Sequence, residues 1–190
     1  MPRGRTRDEE AKQRVLDAAF ELVGASAPGG VSINDIAAAA EVAKQTIYRW
    51  WPSRTAVILD ALVVGTMKAT PFRESDDLRA DFEAHLRTVI RLFNSPTGQI
   101  VREMLAEAQT DAAIADEFRE RFWKPRRDLS QARLERGVEL GQIRSDLDHD
   151  IVLDAIYGPL WMRLVIGHLP LSSVHAEKIT EAIWPGIVAD

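Results

Sequence analysis

Apolar residues recur at helical intervals along nearly the whole chain, and no strand-like alternation is sustained between turn signals. That periodicity predicts an all-α protein. In EEAKQRVLDAAFELVGA, Val15, Leu16, Ala19, Phe20 and Val23 form one apolar stripe, which SAPGG stops because proline and paired glycines suit turns. SINDIAAAA then offers Ser32 as an N-cap, with Asp35 where a capping box prefers Glu or Gln. Ile33 and Ile36 supply apolar contacts there, and the alanines permit close approach. A short gap at Glu41–Val42 leads into AKQTIYRWW. Pro52 and Ser53 interrupt it, and Ser53 caps a longer helix through RTAVILDALVVGTMKA.

Three short helices and a longer one follow from these breaks. Helices of this length do not hold themselves together alone, so they must share a small core. The turn between the middle pair is too tight for antiparallel packing. A helix-turn-helix meets both conditions, and its second helix is the one presented to a DNA major groove.

Beyond this head, Asp77 to Phe93 reads as a helix with Leu78, Phe82, Leu86, Val89, Ile90 and Phe93 inward, broken by SPTG. QIVREMLAEAQ follows. A long element with Ile114, Phe118, Phe122, Leu129 and Leu134 at near-helical spacing comes next; Pro125 should kink or divide it, and Gly141 should stop it. The last helices are expected at 148–167 and 173–187. The expected domains are a helix-turn-helix unit at 9–55, running into a 54–70 connecting helix, and a helical effector-binding and dimerisation unit at 71–190. About nine helices result.

IVLDAIYGPLWMRLVIGH is apolar around much of its circumference. It is either a core helix buried all round or a helix with one side in a subunit interface, since obligate interfaces resemble a sectioned core. For the second case the expected contacts are Ile156, Leu160 and Leu164, with Ile179, Ile183 and Trp184 from VHAEKITEAIWPGI.

The formal net charge is −5, yet the head is neutral, with eight Lys/Arg against eight Asp/Glu in residues 1–60. A polyanion binder needs a local positive surface rather than a positive total, and Arg3, Arg5 and Arg7 all precede the first acid. Lys44, Gln45, Thr46 and Tyr48 can reach phosphates or base edges, and Arg49 adds a cation. Adjacent helical residues point about 100° apart. Trp51, four beyond Ile47, should therefore bury, and Trp50, four beyond Thr46, should stay near the polar face. Arg54 stands at the first turn of the next helix, where its charge opposes the helix dipole unless a phosphate offsets it.

No catalytic or metal constellation competes, and no cofactor is expected. The four histidines are scattered, and HExxH, GxSxG, Walker and dinucleotide patterns are absent. The acidic run SDLDHD reads as a helix start rather than a cation site. Cysteine is absent, and no apolar run is long enough to span a bilayer, so no membrane partner and a cytoplasmic location are expected.

The order RVLDAAFELV…GGVSINDIAAAAEVAKQTIYRWWPSRTAVILDAL resembles the amino-terminal domain of the TetR family of bacterial transcriptional regulators. The resemblance implies that Ser32, Lys44, Thr46, Tyr48, Trp50 and Arg54 lie near phosphates, with Gln45 and Lys44 near base edges. Two departures stand out. Glu41 replaces the usual turn glycine, so the turn either does not demand positive φ or is strained, and Ala43 removes a cap. VREMLAEAQTD, FRERFWKPRRD and RGVELGQIRSDLDHDIVLDAIYGPLWMRLVIGHLPL look like one of the family's ligand-domain subclasses. They imply a homodimer through the last two helices, and a repressor released from a palindromic operator by a small effector. Phe82, Phe93, Met104, Phe118, Phe122, Tyr157, Trp161 and Met162 are candidates for an oily pocket, so a hydrophobic effector is expected. The competing readings are a helical interaction scaffold that has lost operator binding, and a small-molecule enzyme.

Overall fold

The computed structural model describes residues 3–25 and 31–189, with side chains from Asp8 onward. The elements are α1 (Arg3–Ala25), α2 (Ile33–Ala39), α3 (Lys44–Trp50), α4 (Arg54–Ala69), α5 (Leu78–Phe93), α6 (Pro96–Ala108), α7 (Ala112–Glu117), a π-helical segment (Phe118–Trp123), α8 (Lys124–Glu139), α9 (His149–Ile166) and α10 (Val174–Ile187). Because α7, the π segment and α8 follow without a break, the described residues hold nine helical rods.

The head is built from local signals. Ser32 Oγ accepts from the Asp35 amide while the Asp35 carboxylate accepts from the Ser32 amide, so aspartate completes the capping box despite its shorter arm. The exit of α2 is a Schellman motif: the Glu41 amide donates to the Ala38 carbonyl and the Val42 amide to that of Ala37. This closure requires a left-handed residue, and Glu41 supplies it at φ 54°. The strained alternative for this turn is the one found. At the end of α8 the same pair of bonds closes around Gly141, at φ 70°, without that cost. Glu41→Gly is therefore expected to stabilise the protein by about 1 kcal/mol, raising the melting temperature by about 2–4 °C in calorimetry.

Ile36, Ile47, Val15, Ala19 and Trp51 close the head core. α4 then joins head to body. It packs along α1 on one side and against the π segment and α5 on the other. Gly65 makes the first contact possible, because a Cβ there would sit 2.2 Å from the Phe20 ring.

In the body, α6 begins earlier than expected. Pro96 occupies the first turn, where its missing N–H leaves nothing unsatisfied, so SPTG is a helix start as well as a stop. Pro125 is likewise found in a first turn, that of α8. The register ahead of it widens to π, and the Lys124 amide donates to the Arg119 carbonyl. Asp148 caps α9 through the Asp150 and Ile151 amides, at 2.9 and 3.3 Å. A buried ion pair, Arg133–Asp81, ties α8 to the start of α5, and Ser75 donates to the same carboxylate at 2.7 Å.

α9 is not buried all round. Val152, Leu153, Ile156, Leu160 and Leu164 face the protomer's own core, as do Ile179 and Trp184 of α10, while Ile183 is half-buried. The contacts expected between subunits are thus turned inward. A 3.6-residue period gives two faces a similar apolar look, and only the packing decides which is covered. The face left exposed carries Ile151, Met162, Val165 and Ile166.

Candidate nucleic-acid interface and effector cavity

α3 buries Ile47 and turns Lys44, Gln45, Tyr48 and Arg49 outward, with Tyr48 46% exposed. Thr46 and Trp50 are half-buried. The Lys44 ammonium lies 5.8 Å from the Tyr48 ring centre. Arg49 reaches back to Asp8 on α1 at 3.3 Å, an exposed pair that a phosphate can displace at little cost. Arg54 is held differently: its Nε donates to the Val31 carbonyl, which fastens the segment ahead of α2 to the first turn of α4. Ser32 is an exposed cap. The side chains of Arg3, Arg5 and Arg7 lie outside the described residues.

The two tryptophans divide the labour. Trp51 is 6% exposed and its indole N–H donates to Asp60 of α4 at 2.6 Å. Trp50 stands edge-on to it at 5.7 Å, with Arg49 at 5.2 Å and Lys12 at 5.8 Å from its own ring. It gathers two cations beside the exposed row of α3. Asp60 also pairs with Arg121 of the π segment, so the exit of α3 is linked to the body through one carboxylate.

A cavity of about 170 Å³ lies among the end of α4, α5, the π segment, α8 and α9. Phe93, Phe122, Tyr157 and Trp161 line it, as the sequence suggested. Phe82, Met104 and Phe118 are buried in core packing instead, and Met162 is 56% exposed on the outer face. Sequence reading missed the polar lining: His85, Arg126, Arg127, Ser130 and Asp154. The signal was present in the paired arginines directly after FRERFWKP, where the chain leaves an apolar element. Ser130 and Tyr157 are hydrogen-bonded to each other at 3.0 Å, and burial raises the Tyr157 phenol.

Burial, with a smaller contribution from the nearby Arg126 charge, pulls His85 down from 6.5 to about 4. Its ring stacks on Phe72 at 4.2 Å and Nδ1 approaches the Pro71 carbonyl at 3.4 Å. A base with a depressed folded pKa contributes stability that is complete above the unfolded value and is lost as pH falls toward the folded one. Stability should therefore drop between pH 6.5 and about 4, by on the order of 3 kcal/mol from this group. Urea titrations across that window check it, and His85→Gln should flatten the slope.

Among the described residues no cluster of acids and histidines could hold a metal, and no helix is long and apolar enough to cross a membrane. A helix-turn-helix head, joined by one shared helix to an α-helical body that contains a cavity, is the architecture of a DNA-binding regulator. Residues 15–61 match the family described as bacterial regulatory proteins, tetR family, and residues 72–183 match the tetracyclin repressor-like C-terminal domain. The chain is 35% identical over 187 residues to the HTH-type transcriptional regulator YdeS of Bacillus subtilis (strain 168), covering 98% of this chain and 94% of that one. It is 24% identical to the DNA-binding transcriptional repressor TetR of Mycobacteroides abscessus (strain ATCC 19977), covering 93% of each. The crystal structure of the TetR family transcription regulator SCO0332 superposes with a TM-score of 0.85 at 32% identity, covering 93% of this chain and 98% of that chain. The protein belongs to the TetR family of transcriptional regulators.

Proposed function

We propose that the protein is a homodimeric repressor that holds a palindromic operator through α3 of each protomer and releases it when a small effector with an apolar body enters the cavity. The observation that carries this reading is the shared helix α4. Its amino-terminal half holds Asp60, hydrogen-bonded to Trp51 at the exit of α3 and ion-paired with Arg121 of the π segment. Farther along, the Val63 carbonyl and Thr66 hydroxyl accept from Arg126, which lines the cavity. A ligand that shifts the π segment or Arg126 acts on α4, and α4 carries the head.

The operator contacts proposed are Lys44, Gln45, Thr46, Tyr48 and Arg49, with Trp50 beside them and Ser32 and Arg54 at neighbouring helix starts. The domains proposed are 9–55 and 71–190, with 54–70 between them, in a cytoplasmic protein. The dimer face proposed is the exposed stripe of Ile151, Ala155, Met162 and Ile166 on α9, set beside Ala182 and Gly186 on α10. These residues recur at intervals of four and seven, and the small ones let a second pair of helices approach closely. Two copies of α3 must then lie about 34 Å apart, or a multiple of it, to enter successive major grooves on one DNA face.

A mobility-shift assay on DNA upstream of the protein's own gene, and on a random-site library, tests the reading. The expected result is a salt-sensitive shift confined to sites with two-fold symmetry. A dimer with no sequence preference at any salt concentration would overturn it in favour of an interaction scaffold.

A further inference from the structure

The cavity holds a cation that the protein does not neutralise. Arg126 is its source. Its guanidinium donates to the Val63 carbonyl at 3.2 Å, to the Thr66 hydroxyl and to the Phe122 carbonyl, and lies 3.8 Å from the centre of the Phe122 ring. Every one of these partners is neutral. No carboxylate stands within ion-pair distance of it among the described residues. Burial lowers Arg126 to about 10, which still leaves it charged at neutral pH.

The other charges on the wall cancel. Arg127 bonds Asp154 at 2.8 Å and Asp150 at 2.9 Å, and its guanidinium stacks toward Trp123 at 5.2 Å. Of these two carboxylates only Asp154 lies on the wall, where it offsets Arg127; Asp150 stands outside the lining. His85 stays neutral for the reason given above. One positive charge is left over on a wall whose uncharged part includes Phe93, Trp161, Val89 and Leu92 and the polar Thr70, Ser130 and Tyr157. A desolvated cation with only dipoles around it is costly, and a ligand that brings a matching anion removes that cost.

We propose that the ligand of this cavity is a small monoanion, an aromatic carboxylic acid whose carboxylate pairs with Arg126 while its ring lies against Phe93 and Trp161. The inference rests on the effector reading above and names its chemistry. Phe93 and Trp161 are an aromatic pair 4.9 Å apart, suited to a third ring. The size of the site agrees: it is about 170 Å³, and a cavity of about 150 Å³ holds benzene. A planar carboxylate matches the guanidinium fork, whereas an amine would meet a like charge. The same geometry offers a route to release, because the carboxylate competes with the Val63 carbonyl and Thr66 hydroxyl of α4 for Arg126.

The test uses the full-length protein, isothermal titration calorimetry and three matched probes: phenylacetate, 2-phenylethanol and 2-phenylethylamine. Phenylacetate is expected to bind at least about tenfold tighter than the alcohol, the increment of a buried charge-assisted hydrogen bond, and the amine to bind more weakly than either. Arg126→Gln should erase the preference for the acid, while Arg126→Lys should keep part of it. Circular dichroism checks that both variants fold, and the wild-type ranking decides the matter if Arg126→Gln does not. An alcohol that matches the acid, an amine that binds best, an acid preference that survives in folded Arg126→Gln, or no saturable binding of the acid at about 10 mM each overturns the proposal. Adding the same probes to the operator complex separates the two readings. Acid that binds yet leaves the complex intact counts against effector-driven release alone. Release by the alcohol as readily as by the acid counts against the anion alone.

Discussion

Met162→Glu combined with Ile166→Glu is expected to yield a folded monomer whose operator affinity falls by at least about 100-fold. Both side chains are more than half exposed, at 56% and 62%, so the protomer loses little packing when they change. In a two-fold dimer each substitution appears twice and close to its own copy, where desolvated like charges repel strongly. A monomer must bind each half-site separately, and it forfeits the effective concentration that the second head enjoys once the first is bound. Analytical ultracentrifugation reads the assembly and the mobility shift reads the DNA. A dimer that persists with an unchanged operator shift would show that the stripe on α9 is not the contact. The same pair of glutamates at Ile156 and Leu160 would instead unfold the protomer, because those side chains are in its core.

The second large effect concerns the adjacent tryptophans. Trp51→Ala should destabilise the protein by about 3–5 kcal/mol, since it empties a core position and strips Asp60 of its indole donor. The loss is expected in the head first, read as early exchange of the α2 and α3 amides. Trp50→Ala removes a half-buried ring that two cations flank, so stability should fall less. Operator affinity should drop about tenfold because Lys12 and Arg49 lose their common platform. Equal unfolding of the head in both variants would mean that Trp50 belongs to the core.

Much of this was legible in the chain because it depends on local rules. Ser32 and Asp35 make a capping box, Ser53 and Asp148 cap helices, and the phase of Ile47 against Trp51 sets which tryptophan buries; all of these follow from neighbours within four residues. The membership of the head was legible for the same reason. Glu41 marks the limit of that reasoning. The sequence showed an acid where a glycine is usual and left two turns open, and only the closing bonds to Ala37 and Ala38 selected the left-handed one.

The cavity and the proposed dimer face were less legible, because each depends on which side of an apolar helix meets another element. Phe82, Met104 and Phe118 are as apolar as Phe93 and Trp161, yet they pack into the core while the latter border a void. Ile156 and Ile166 sit on the same helix, one buried against the protomer and one exposed. Long-range partners of charged groups were beyond reach as well. Arg126 finds α4 across 60 residues of sequence, and Arg121 finds Asp60 across a similar span. By itself the sequence determined an all-α chain, its helix starts and stops, its helix-turn-helix and its family, since helical period and capping are properties of short segments. The tertiary structure alone decided which apolar face is covered, where the void remains and which arginine stands in it without a counter-charge, since these are set by how rods pack.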